Sequence, residues 1–211
     1  MQQFAHPITP CRVAALAGSP SARSRSAALL RQALRALPAA DAAPAEIDIR
    51  SLPAAALLQA DAKEPAVARA LAQVQSAELV LVATPIYKAA YSGLLKVFLD
   101  LLPPDALRGK RVLPLATGGS LAHLLAVDYA LRPVLAALGA REILDTVFAT
   151  DAQFERDEHD EAGGWRPDAA VRERLQRALA GTAATGHAEQ PPITAPRPAS
   201  VDRSGAVTAA C

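Results

Sequence analysis

Five short apolar runs, each followed by a stretch of helical periodicity, constrain this chain more than any other feature. The runs cover residues 13–17, 45–49, 79–83, 112–116 and 143–148. Those at 79–83 and 112–116 are continuously apolar, the pattern of strands buried on both faces. Between the runs, apolar residues recur at helical spacing. Ala27, Leu30, Leu34 and Leu37 precede Pro38, and Val67, Leu71 and Val74 follow Glu64-Pro65. Leu95, Phe98, Leu99 and Leu102 precede Pro103-Pro104. A long helix over about 121–138 carries Leu124, Val127, Leu131, Leu135 and Leu138 and stops at Gly139. Val171, Leu175 and Leu179 mark a last helix. Strands that alternate with helices in this way form a parallel sheet through right-handed crossovers, with helices on both faces.

The count of five predicts an α/β three-layer sandwich with the flavodoxin-like strand order 2-1-3-4-5 rather than a six-stranded dinucleotide fold. With 211 residues, 51% of them apolar, one substantial core is expected. We place that domain over residues 12–181, after an extension at 1–11. From residue 182 onward Ala, Pro, Thr and Gly dominate without apolar periodicity, so 182–211 is expected to be a disordered tail. A net charge of +1 gives no support for a nucleic-acid partner. The two cysteines, Cys11 and Cys211, form no disulfide framework or metal-ligand spacing. No apolar run has the length of a membrane span or a secretory leader. A reducing, cytoplasmic setting without a membrane partner is expected.

Ligands of such sheets bind beyond the carboxyl ends of the strands, near the point where strand order reverses. Three loops of this sequence belong to that edge. The first, 18–26, is Gly-Ser-Pro-Ser-Ala-Arg-Ser-Arg-Ser. It has neither the triphosphatase P-loop pattern nor the dinucleotide fingerprint. Its hydroxyls at a helix N-terminus instead suit a single phosphate monoester, such as that of FMN; a Ser-rich helix cap without a ligand is the competing reading. The second loop, 84–93, places Pro85, Ile86 and Tyr87 where a flat heterocycle could rest, with Tyr91 and Ser92 at the next helix start. Half-buried packing would also explain its tyrosines. The third, Thr117-Gly118-Gly119-Ser120, permits close backbone approach to a ligand, or makes a tight turn capped by Ser120. His123 then falls in the first turn of the long helix, as a ligand contact or as ordinary packing. Neither a hydrolase nucleophile elbow nor a clustered metal-ligand set is evident.

The segments 18–20, 84–96 and 113–131 together resemble the NADPH-dependent FMN reductase family. Within that family they are most similar to the flavin reductase component of two-component alkanesulfonate monooxygenase systems. The similarity runs from about residue 12 to 150, and the 113–131 segment is the most specific part. It implies an enzyme that oxidises NADPH and supplies reduced FMN to an FMNH2-dependent monooxygenase, which releases sulfite from organosulfonates during sulfur acquisition. It further implies that Ser19, Ser24 and Ser26 hold the flavin phosphate. Pro85, Ile86 and Tyr87 would border the isoalloxazine, and Thr117, Gly118, Gly119 and His123 would meet its other side. Tyr129 resembles a tyrosine that in this subgroup accompanies a π-type widening of the helix, at a subunit interface of a homo-oligomer (dimer or tetramer). No residue is required as acid or base, because the flavin carries the hydride chemistry. Two other readings of the same fold stay open at this point: a quinone or azo-compound reductase, and a flavodoxin-like FMN electron carrier. The near-neutral charge disfavours the carrier, which usually presents an acidic docking face.

Overall fold

The computed structural model describes residues 12–37, 43–157 and 164–180. The expected 1–11 extension and 182–211 tail lie outside the described residues. Strands β1 (Val13–Ala17), β2 (Ala45–Asp48), β3 (Leu79–Tyr87) and β5 (Arg111–Gly118) lie parallel in one sheet. Beyond β5 come β6 (Glu142–Ile143) and β7 (Val147–Thr150), both parallel to it. The order β2-β1-β3-β5-β6 is the flavodoxin-like one.

Side chains of β3 alternate between two cores, as the pleat requires. Val80 and Val82 belong to one, with Leu71 and Val74 of α3 (Pro65–Ser76), Phe98 of α4 (Gly93–Leu99) and Leu135 of α5 (Arg132–Ala137). Leu79, Leu81 and Ala83 belong to the other, with Leu29 and Ala33 of α1 (Arg25–Ala36) and Leu175 of α6 (Ala169–Ala180). Helices therefore cover both sheet faces. Glu64 caps α3 by accepting from Val67 N–H at 2.8 Å, with Pro65 at the first helical position.

Four local features differ from the sequence reading. The last strand is split between Ile143 and Val147: Leu144 N–H still donates to the Val112 carbonyl at 2.9 Å, and the Arg132 guanidinium donates to the carbonyls of Ile143 and Leu144. Strand β3 runs four residues past Ala83, to Tyr87, and folds back as an antiparallel hairpin onto β4 (Ala90–Tyr91). A one-turn helix, α2 (Ala54–Leu58), and a hairpin of β8 (Phe154–Arg156) with β9 (Trp165–Pro167) carry no periodicity long enough to detect. That hairpin gives strand structure to Glu155 and Arg156, the start of an acidic stretch whose residues 158–163 lie outside the described residues.

The long 121–138 helix is not uniform. It opens as a 3₁₀ turn, Leu121–Leu124, and contains a π-helical turn at Val127–Leu131, closed by Arg132 N–H donating to the Val127 carbonyl. Pro133 follows directly, in the first turn of α5. It has no N–H to donate to the Tyr129 carbonyl four residues earlier, and its ring would clash there in a regular α-helix. Ser120 begins the segment, but its side chain makes no capping bond.

Candidate active site

Apolar runs of the β3 and β5 kind bury fully, so any polar side chain trapped among them needs a local reason. Among the described residues, the buried polar side chains are Ser19, Ser24, Ser26, Thr84, Ser92 and Thr117. All six lie in or beside the three loops at the carboxyl edge of the sheet. Register brings these loops together: Ala17 pairs with Ala83, and Pro85 with Thr117.

The first loop is pressed onto the second. Gly18 N–H donates to the Ala83 carbonyl at 2.8 Å, and the Ser92 hydroxyl donates to the Gly18 carbonyl. A Cβ at Gly18 would lie 2.8 Å from Leu95 Cβ and 3.0 Å from the Ala83 oxygen, so only glycine fits this approach. Further along, Ser19 Oγ accepts from Ser21 N–H at 3.2 Å. Ser24 is the N-cap of α1 and accepts from Ala27 N–H at 3.3 Å, while its hydroxyl meets that of Ser26 at 2.8 Å. Ser19, Ser24 and Ser26 are thus held at the positive end of a three-turn helix.

In the second loop, buried Thr84 ties the strand end to the next helix. Its hydroxyl accepts from Ser92 N–H at 3.0 Å and donates to the Pro85 carbonyl at 3.0 Å. Ser92 then caps α4 by accepting from Leu95 N–H at 3.1 Å. Pro85 and Ile86 are buried within β3, not in a loop as the sequence suggested; Tyr87 ends the strand about half exposed. The hairpin turn puts Lys88 at φ +50° and Ala89 at φ +61°. Both are left-handed, the conformation of a two-residue I′ turn that normally selects Asn or Gly. Tyr91 is partly buried, which raises its phenol pKa above the ordinary tyrosine value; the nearby Lys96 opposes this and Asp100 adds to it.

The third loop closes the edge. Thr117 and Gly118 finish β5, both buried, and Gly119 is exposed. A Cβ at Gly118 would meet His123 Nδ1 at 2.8 Å and Phe148 Cζ at 3.2 Å, whereas one at Gly119 would meet nothing within 4 Å. His123 Nδ1 is buried without a hydrogen-bond partner. A ring nitrogen in that condition, beside two glycines that leave backbone accessible, could meet a polar ligand atom. Tyr129 sits on the π turn, which packs against β4, and is 80% exposed. Thr84, Ser92 and Gly18 are the residues that sequence reasoning left out of the site. Ser92 was detectable as a hydroxyl three residues before Leu95 at a helix start; the Gly18 contact joins residues too distant in sequence to be read.

A phosphate-bearing planar ligand fits this edge. Hydroxyls at a helix N-terminus can meet an anion, and the β3 hairpin and the Gly118–Gly119 backbone could border a flat ring.

The model of the NADPH-dependent FMN reductase family matches residues 11–155. The chain is 54% identical over 142 residues to the FMN reductase (NADPH) of Escherichia coli (strain K12), covering 67% of this chain and 74% of that one. It is 49% identical over 141 residues to the FMN reductase (NADPH) of Pseudomonas putida (strain KT2440), covering 67% and 72%. Among solved structures, the apo form of the NADH:FMN oxidoreductase EMOB is similar, with a TM-score of 0.72 at 40% identity over 82% of this chain and 88% of that one. With a flavodoxin-like sheet, a hydroxyl-lined carboxyl edge and this degree of identity, the chain belongs to the NADPH-dependent FMN reductase family and is an oxidoreductase that works with FMN and NADPH.

Proposed function

We propose that this enzyme reduces FMN with NADPH and releases the product, FMNH2, to a separate monooxygenase that desulfonates organosulfonates in the cytoplasm. The observation that carries the flavin reading is the convergence of all six buried polar side chains of the described residues on one sheet edge. Ser19, Ser24 and Ser26, with the first N–H groups of α1, hold the phosphate. Pro85, Ile86 and Tyr87 border the ring system on one side, and Thr117, Gly118, Gly119 and His123 on the other. Bound FMN supplies the hydride-accepting chemistry at its N5, so no side chain needs to exchange a proton in that transfer. The chain's task is to hold the two rings in contact and to aim donors at the charge that develops. Backbone N–H groups around Thr117–Gly119 suit that electrostatic role. The half-exposed Tyr87 leaves the ring edge open to solvent, which suits a flavin that leaves after reduction.

Exposure also supports self-association. Leu121, Leu125 and Tyr129 recur every fourth residue and are 66%, 56% and 80% exposed. An apolar stripe of this kind marks a surface that packs against another, here a second copy through the π turn. Among the described residues no helix is long and apolar enough to cross a membrane.

The test pairs NADPH with FMN, FAD and riboflavin, then adds an FMNH2-dependent alkanesulfonate monooxygenase and an alkanesulfonate. FMN is expected to give the highest kcat/KM, with sulfite released only when the reductase and both flavin and NADPH are present. Preference for riboflavin would overturn the phosphate site. Faster turnover of a quinone than of FMN would replace flavin supply with quinone reduction. A monomer in sedimentation analysis would overturn the interface.

A further inference from the structure

We propose that Trp165 is a positioning residue that clamps the phosphate-binding loop and thereby sets the preference for phosphorylated flavin. The inference rests on the flavin-phosphate reading above. Trp165 lies past residue 155, where the match to the family model stops. It belongs to β9 of the small hairpin, which packs against α1.

Two contacts join it to the loop, and they flank the N-cap. Its indole Nε1–H donates to the Arg23 carbonyl at 3.2 Å. The Arg25 guanidinium stacks over its ring, 4.0 Å from the centroid. Ser24 lies between those two residues, and its hydroxyl is the one that meets Ser26. The Trp165 ring is itself held, because the Arg156 guanidinium of the paired strand stacks over it at 4.2 Å. Arg25 is held a second time by Asp151, 3.4 Å away. The loop backbone is therefore fixed on both sides of Ser24 by groups far from it in sequence. A loop rich in serine pays a high entropic cost to order around an anion, and preorganising it raises affinity without adding a ligand contact. This would act on the phosphate alone: Trp165 touches Arg23 and Arg25, not the loops that border the ring.

Trp165→Phe tests the idea, since it keeps an aromatic ring for Arg25 and removes the indole donor. Loss of one such bond is expected to raise KM for FMN about three- to tenfold. The KM for riboflavin, which lacks the phosphate, and kcat with either flavin are expected to stay unchanged. A merely structural role would lower thermal stability and impair both flavins alike, and that outcome overturns the proposal. So does a wild-type FMN-over-riboflavin preference that Trp165→Phe retains. Equal KM values for FMN and riboflavin in the wild type would overturn the phosphate site and this inference together. A second measurement needs no substitution, because Trp165 is the chain's sole tryptophan. Saturating FMN is expected to quench its fluorescence at lower concentration than riboflavin does; emission unchanged by saturating FMN overturns the clamp.

Discussion

Replacing Gly18 by alanine is the sharpest test of how the site is built. The added Cβ would sit 2.8 Å from Leu95 Cβ and 3.0 Å from the Ala83 oxygen. Neither neighbour can yield cheaply: Leu95 is fully buried in α4, and the Ala83 carbonyl belongs to the central strand. Overpacking of this kind costs about 1–3 kcal/mol. Moving the loop away instead sacrifices the Gly18–Ala83 or Ser92–Gly18 hydrogen bond, each worth about 0.5–1.5 kcal/mol. We expect a loss of about 1–3 kcal/mol, or roughly 2–12 °C in Tm for a domain of this size. Because the loop that shifts carries Ser19, Ser24 and Ser26, KM for FMN should rise as well. Gly119→Ala is the control. Its Cβ would meet nothing within 4 Å, so stability should stay within about 0.5 kcal/mol of the parent while FMN binding weakens. Urea and thermal unfolding followed by circular dichroism, with steady-state FMN titrations, measure both variants. If Gly18→Ala melts with the parent and binds FMN normally, the close approach of the loop to β3 and α4 has been misread.

Other expectations follow from the same geometry. Ser24→Ala removes the α1 N-cap and should cost about 1 kcal/mol in urea unfolding, while raising KM for FMN and leaving riboflavin untouched; an equal effect on both flavins would count against a phosphate contact. Changing Lys88-Ala89 to Asn-Gly suits the left-handed turn and should stabilise the protein by about 1 kcal/mol; unchanged stability would show that the turn is not strained. Burial holds the Tyr91 phenol above the ordinary tyrosine value of 10.0, so the folded state keeps a proton that the unfolded chain releases. Its contribution to stability is therefore intact below pH 10.0 and is lost as pH rises through the elevated value. A phenolate-absorbance titration should show one tyrosine ionising late, and Tyr91→Phe should abolish that transition.

Much of the architecture was legible because burial on both faces demands unbroken apolar runs such as 79–83 and 112–116, and crossover handedness leaves few ways to connect them. The three loops at the carboxyl edge stood out for a related reason: residues that serve neither core nor simple turn, such as the serines at 19, 24 and 26 or the Gly118-Gly119 pair, contrast with that background. The π turn was expected only through the resemblance carried by Tyr129, because helical periodicity does not distinguish a widened turn from a regular one.

What the sequence alone determined was a parallel sheet with helices on both faces, since local periodicity suffices for that. What only the tertiary structure decided was how the carboxyl edge of that sheet is held: the Gly18 approach to Leu95, the extension of β3 into a hairpin, the divided last strand, and the grip of Trp165 on Arg23 and Arg25. Each depends on contacts between residues far apart in the chain, whose loop-closure entropy is repaid only once the whole core has formed. No local pattern encodes them.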